Sequence, residues 1–206
     1  MSMRGAGRIA LALLLASALA GCLGRTPKPS YYTLGAAAPV AAEPVASLPA
    51  LGLVVGPIDF PRYLDRPELV TRDGAHGLVL SNTRRWAGSF RNDFGRVLAD
   101  QLGRQLGTAH VATYPNEARF PVDYRVQLEL VSFEGTLGEP VTLRARWVVA
   151  DGSGGTAAAA EESEIVEPTA SSSWDDLLAA HGRAVNRLAT EIATRVASLA
   201  AHRSAH

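Results

Sequence analysis

Cys22 is the only cysteine in the 206-residue chain. It follows Leu19, Ala20 and Gly21, at the end of an apolar run from Ile9 to Ala20. Arg4 and Arg8 precede that run as a basic segment. A basic start, a short apolar stretch and small residues at the cut make a secretory signal. The run falls short of the roughly 20 residues needed to span a bilayer. Small residues leading into a lone thiol have the form of a bacterial lipobox. The expected chemistry is acylation of the Cys22 thiol with diacylglycerol, cleavage before it, and acylation of the new amino terminus. A thiol spent in this way is lost to disulfides and to nucleophilic catalysis. No other cofactor is expected. Several acyl chains hold a protein to a membrane far more firmly than one. Leu23 occupies the position where an Asp favours inner-membrane retention in enterobacteria, so the expected location is the periplasmic face of the outer membrane.

Other residues capable of chemistry do not assemble into a reactive set. His76, His110, His202 and His206 are scattered, with no carboxylate or thiol spacing that suggests a metal. Asp175 and Asp176 are adjacent, so on a helix they project differently, which suits capping better than paired acid–base work. No nucleophile elbow, phosphate loop or triad signature is present. Asp151–Gly155 (DGSGG) lacks the Lys-Ser or Lys-Thr of a phosphate cradle. The expectation is a protein that is not an enzyme and binds no metal. Loss of residues 1–21 removes Arg4 and Arg8 and no acid, leaving 18 basic against 20 acidic side chains. Such a balance gives no electrostatic reason to bind nucleic acid.

The elements that position these residues follow from periodicity. Residues 22–50 are expected to be the lipidated terminus and an extended linker, rich in proline, with a candidate edge strand at 30–34 (SYYTL). Residues 51–203 are expected to form one α+β periplasmic domain. Strands are expected at 51–58, 68–72, 78–82, 110–113, 123–133, 141–149 and 156–166. The second and third of these form a hairpin, and 123–133 pairs antiparallel with 141–149. Trp86, Phe90, Phe94, Val97, Leu98, Leu102 and Leu106 recur at helical spacing, which predicts a helix over 86–106. A second helix is expected from Trp174 to about Ala201, capped by Ser173. Both amphipathic helices should pack on one face of a mostly antiparallel sheet. Trp86, Trp174 and His181 fall on apolar stripes and read as core, with lipid contact as the alternative for the tryptophans.

Several blocks, in order, resemble the ABC-type transport auxiliary lipoproteins, the PqiC/YmbA-like family. They are Tyr31-Tyr32-Thr33-Leu34, Phe60-Pro61-Arg62-Tyr63-Leu64-Asp65-Arg66-Pro67 leading into Val70-Thr71-Arg72, Trp86 at a helix start, and Asp123-Tyr124-Arg125-Val126 at a strand start. The resemblance implies an accessory of an MCE-type lipid transport system that docks the transport complex at the outer membrane. The implied partner is an MCE-domain protein. Some members form rings, which leaves a homo-oligomeric ring open. Within this reading Arg62, Tyr63, Asp65 and Arg66, held between prolines, are candidate docking residues, with Tyr31 and Tyr32. Plainer roles stand beside these: Asp65 pairing with an arginine to pin the loop, and the tyrosines completing the protein's own sheet edge. The alternative function is a structural envelope lipoprotein that binds peptidoglycan or an assembly machine.

Overall fold

The structure is a computed structural model that describes residues 27–37, 44–115, 118–153 and 155–205. Cys22 and the expected signal segment lie outside the described residues.

The element order is β1 (Ser30–Tyr32), a short 3-10 turn (Leu34–Ala37), β2 (Leu53–Asp59), β3 (Glu68–Asp73), β4 (Gly77–Trp86), α1 (Phe90–Leu106), β5 (Val111–Thr113), β6 (Tyr124–Gly135), β7 (Val141–Asp151), β8 (Ala157–Glu167) and α2 (Trp174–Ser204). The α+β class is as expected. The strands, however, divide into two mixed sheets, one of order β1-β4-β3 and one of order β5-β2-β6-β7-β8. The hairpin pairs β3–β4, β6–β7 and β7–β8 are antiparallel. The pairs β1–β4, β2–β5 and β2–β6 are parallel. Parallel pairing needs a long crossover: β2 and β3 lie between β1 and β4, and the β3–β4 hairpin with α1 lies between β2 and its partners β5 and β6. Strand periodicity reports which side chains face inward and is silent on which strand lies alongside, so the mixing was not visible in it.

Alternation sets the faces of the larger sheet. Val126, Leu128, Leu143, Ala145, Trp147, Val149 and Ile165 are buried and belong to the core shared with both helices. The opposite face carries Glu129, Arg144, Arg146, Glu162 and Glu164, joined in ion pairs across β6, β7 and β8. A sheet with one wet face alternates in this way. The alternation is interrupted within β6. Leu130 pairs with Ala145, but Ser132 pairs with Arg144 and Phe133 with Leu143. The extra residue is a bulge that turns Phe133 inward and re-aims Glu134.

Helix α1 begins four residues later than the apolar spacing suggests. Ser89 is its N-cap, its side chain accepting from the Asn92 N–H at 3.3 Å. Trp86 ends β4 instead, yet its ring stacks on Phe90 at 4.6 Å. It therefore continues the apolar stripe without being helical. The helix stops at Gly107, whose φ of 62° is a left-handed conformation that suits glycine. Helix α2 is capped by Ser173, which accepts from the Asp176 N–H at 3.1 Å. The helices meet each other through apolar contacts and two polar ones, Asn186 to Gln101 at 2.9 Å and Gln105 to Thr190 at 3.1 Å.

The proline-rich segment before β2 is partly attached. The Leu34 side chain is buried, and its N–H donates to Asp93 at 2.6 Å. The N–H groups of Ala46 and Leu48 donate to the last-turn carbonyls of Gln105 and Leu106 at 3.1 and 2.8 Å. These carbonyls have no partner inside the helix, so the passing chain satisfies them.

Candidate functional site

The loop from Phe60 to Pro67 joins the two sheets. Its shape comes from two apolar anchors and tight backbone turns. Phe60 packs edge-on against Phe90 and Phe94, with centroids 5.8 and 5.4 Å away. Leu64 is buried, and its N–H donates to the Pro61 carbonyl at 3.0 Å. The Arg66 N–H donates to the Leu64 carbonyl at 2.9 Å. With these positions fixed, the polar residues between them have defined directions.

Asp65 accepts two bonds from Arg91 of α1, from Nη2 at 2.8 Å and Nε at 3.2 Å. The same guanidinium donates to the Ile58 carbonyl at 2.6 Å and lies 4.8 Å from the centre of the Phe60 ring. Asp65 thus ties the loop to its own helix. Both partners are more than a third exposed, so the pair is worth only about 0.2–1 kcal/mol.

Tyr63 turns toward the other side. Its hydroxyl donates to Glu134 Oε2 at 3.0 Å. Glu134 is 5% exposed, and it also accepts from the Phe133 N–H at 2.7 Å and pairs with Arg72 of β3. One buried carboxylate therefore holds the loop, β3 and β6 together. Burial, and then the negative charge and hydrogen bond of Glu134, hold the Tyr63 hydroxyl well above the usual phenol range, so it remains a donor. The carboxylate keeps the Arg72 guanidinium firmly charged.

Arg66 Nε lies 3.4 Å from Glu68, whose other oxygen is 3.9 Å from Arg85 of β4. Arg62 is exposed at the loop's outer turn with no polar partner among the described residues. Of the loop's four candidate residues, Tyr63 and Asp65 are committed to the protein's own framework, Arg66 in part, and Arg62 is available.

The tyrosines arrive at the same end of the molecule. Strand β1 lies parallel to the end of β4, with Ser30 beside Arg84, Tyr31 beside Arg85 and Tyr32 beside Trp86. Tyr32 is half-buried and its carbonyl accepts from the Ala87 N–H at 2.8 Å, whereas Tyr31 is 62% exposed. The Trp86 N–H donates to the Pro67 carbonyl at 2.8 Å. The fold therefore gathers β1, the loop's exit and the end of β4, which are far apart in sequence.

His181 is 4% exposed, with Nδ1 2.8 Å from the Leu177 carbonyl and its ring 4.7 Å from that of Phe133. Burial drives its pKa below the ordinary histidine value. Trp174 packs against the core with the Arg84 guanidinium 4.8 Å over its ring. Among the described residues no three His, Cys, Asp or Glu side chains gather as a metal would require.

Sequence reasoning quoted Arg72 without giving it a role, and passed over Arg84, Arg91 and above all Glu134 as site residues. A sign of Glu134 was present. Leu130 and Phe133 cannot both face inward on a regular strand, since an odd spacing puts them on opposite sides. The irregularity announces a bulge, and Glu134 follows it.

The family model of the ABC-type transport auxiliary lipoprotein component matches residues 32–193. The chain belongs to that family. The match starts at Tyr32, the last residue of β1, and runs through β2 to β8, the Phe60–Pro67 loop, α1 and most of α2. As a member this auxiliary lipoprotein is a component of an ABC-type transport system and of a membrane-anchored class, and the family is not one of enzymes. A solved structure of an uncharacterized protein is similar to it, with TM-score 0.66 and 16% identity over 82% of this chain and 99% of that one. Protein XCC0632 from Xanthomonas campestris, of family model DUF330, is similar with TM-score 0.64 and 18% identity, over 86% of this chain and 100% of that one. At these identities the likeness concerns the fold. A comparison with curated proteins finds no match.

Proposed function

We propose that this auxiliary lipoprotein is held by acyl chains on Cys22 at the periplasmic face of the outer membrane, where it docks an ABC transporter of the MCE type. The observation that carries the reading is the family match across 32–193, which includes the Phe60–Pro67 loop. The geometry supports a docking role for that loop. Its backbone is fixed by Phe60, Leu64 and the Glu134 and Arg91 contacts, so Arg62 projects from a backbone that needs no further ordering. A rigid surface loses less entropy when a partner binds. Arg62 is also a residue type that leads in protein interfaces, because its planar fork pairs with carboxylates in two bonds at once.

Deletion of the gene should sensitise cells to detergent and strand an MCE-domain partner away from the outer membrane. Normal tolerance with normal partner placement would refute the reading. Cys22→Ala should leave the protein unprocessed or soluble in the periplasm. Unchanged outer-membrane residence of that variant would remove the lipid anchor from the account.

A further inference from the structure

The β1 end of β4 concentrates basic side chains around the point where the tether enters the domain. Arg84 and Arg85 stand beside Ser30 and Tyr31 in the parallel pair, Arg66 reaches the same region through Glu68, and Lys28 is exposed on the tether. The acids there are fewer. Glu68 is shared between Arg66 and Arg85 at 3.4 and 3.9 Å, and Asp175 follows Trp174, the ring beneath Arg84. The cluster also has unmet donors. The Nε of Arg84 is buried with no acceptor among the described residues. The Nε of Arg66 is buried too, and its approach to Glu68 lacks hydrogen-bond geometry. Those two Nε atoms are closed to solvent, but the side chains of Arg66, Arg84 and Arg85 are only half-buried, and a guanidinium has donors only, so their open ends present donors to an anion at this surface.

Chain length says which anion is at hand. Cys22 and Ser30 are eight positions apart. Even fully extended, at about 3.6 Å per residue, this segment keeps Ser30 within about 29 Å of the acylated residue. The tether thus brings the Arg84–Arg85 end up to the lipid surface, well placed for contact when it is less than fully stretched. Tyr31, 62% exposed beside Arg85, adds an amphipathic ring of the kind that settles at headgroup level. We infer that the cluster of Lys28, Arg66, Arg84 and Arg85 with Tyr31 binds the anionic headgroups of the membrane that holds Cys22. This fixes the domain's orientation on the surface, with β1 down. The inference rests on the lipid-anchored reading of Cys22.

The test uses the mature chain, residues 22–206, carrying Cys22→Ala so that no acyl group contributes. Every described core residue lies between Leu34 and Ala200, so the domain keeps its core in this form. The chain is sedimented with vesicles of phosphatidylcholine alone and of phosphatidylcholine mixed with phosphatidylglycerol. Binding is expected to the mixed vesicles only, weakening steeply with salt. Arg84→Gln and Arg85→Gln should each weaken it about fivefold, from about 1 kcal/mol per basic residue at a lipid surface. Lys28→Gln, on the tether, should do the same and cannot disturb the core. Arg144→Gln and Arg146→Gln, on the outer sheet face, should bind as the parent does. Equal binding to both vesicles, no binding to the mixed ones, or equal loss in the Arg144 and Arg146 variants would overturn the proposal. Mass spectrometry of the native amino terminus reads the anchor separately. A terminus without fatty acid, with vesicle binding intact, removes the anchor and leaves the headgroup site standing. An acylated terminus with no vesicle binding does the reverse.

Discussion

Glu134→Gln probes the joint between the loop and the two sheets. The carboxylate accepts from the Tyr63 hydroxyl at 3.0 Å and the Phe133 N–H at 2.7 Å, and pairs with Arg72. Hydrogen bonds to a charged group contribute about 1.5–3 kcal/mol each. Glutamine keeps the volume and one acceptor oxygen, so it opens no cavity, but it presents an NH₂ where a donor already points. Removing one partner of a fully buried ion pair costs about 3–5 kcal/mol. Here the Arg72 side chain is 39% exposed and can turn to water, which discounts that figure. The expected loss is about 2–3 kcal/mol, which for a domain of this size lowers Tm by roughly 5–10 °C. Urea unfolding followed by tryptophan fluorescence reads it. Tyr63→Phe should cost about 1 kcal/mol by itself. The double variant should lose less than the two single losses together, because both remove the same bond. A Glu134→Gln loss under about 0.5 kcal/mol, or strict additivity, would refute the idea that one carboxylate fixes the loop.

Other outcomes follow from the core and the caps. Ser163 accepts from the buried Trp147 Nε1–H at 2.9 Å, so Ser163→Ala should leave that donor unpaired and cost about 1–3 kcal/mol in denaturant unfolding. Burial lowers the His181 pKa, so between its folded value and about 6.5 the unfolded chain binds the extra proton. The His181 contribution is therefore complete above about pH 6.5 and erodes as pH falls below it. His181→Gln should flatten the stability profile below about pH 6.5, and an unchanged slope there would contradict this. Asp65→Asn should cost under about 1 kcal/mol, since the Arg91 pair is exposed, and a larger drop in Tm would mean that the loop depends on it.

What was legible in the sequence was mostly what alternation and helical spacing encode. The inward sets of β6 and β7, the stripe of α2 and the Ser173 cap were readable because each depends on neighbours along the chain. The start of α1 was not, because Trp86 reaches the aromatic cluster from a strand as well as it would from a helix. The pairing of β1 with β4 and of β2 with β5 and β6 was hidden, since partner choice is settled by the whole fold. The same holds for the candidate site. Its composition was visible between two prolines, but the division of labour was not. That Tyr63 turns in to Glu134, Asp65 to Arg91, and Arg62 out to solvent depends on where β3, β6 and α1 lie. The Cys22 expectation falls outside the described residues and rests on the sequence and on the family's lipoprotein character.

We propose that this chain serves an ABC transporter from a membrane surface. Cross-linking in intact cells, followed by affinity purification of the native lipoprotein and mass spectrometry of what comes with it, tests it most directly. An MCE-domain subunit of an ABC transporter should be enriched with the parent and depleted with Arg62→Glu. Recovery of peptidoglycan or assembly proteins with no transporter subunit would contradict it.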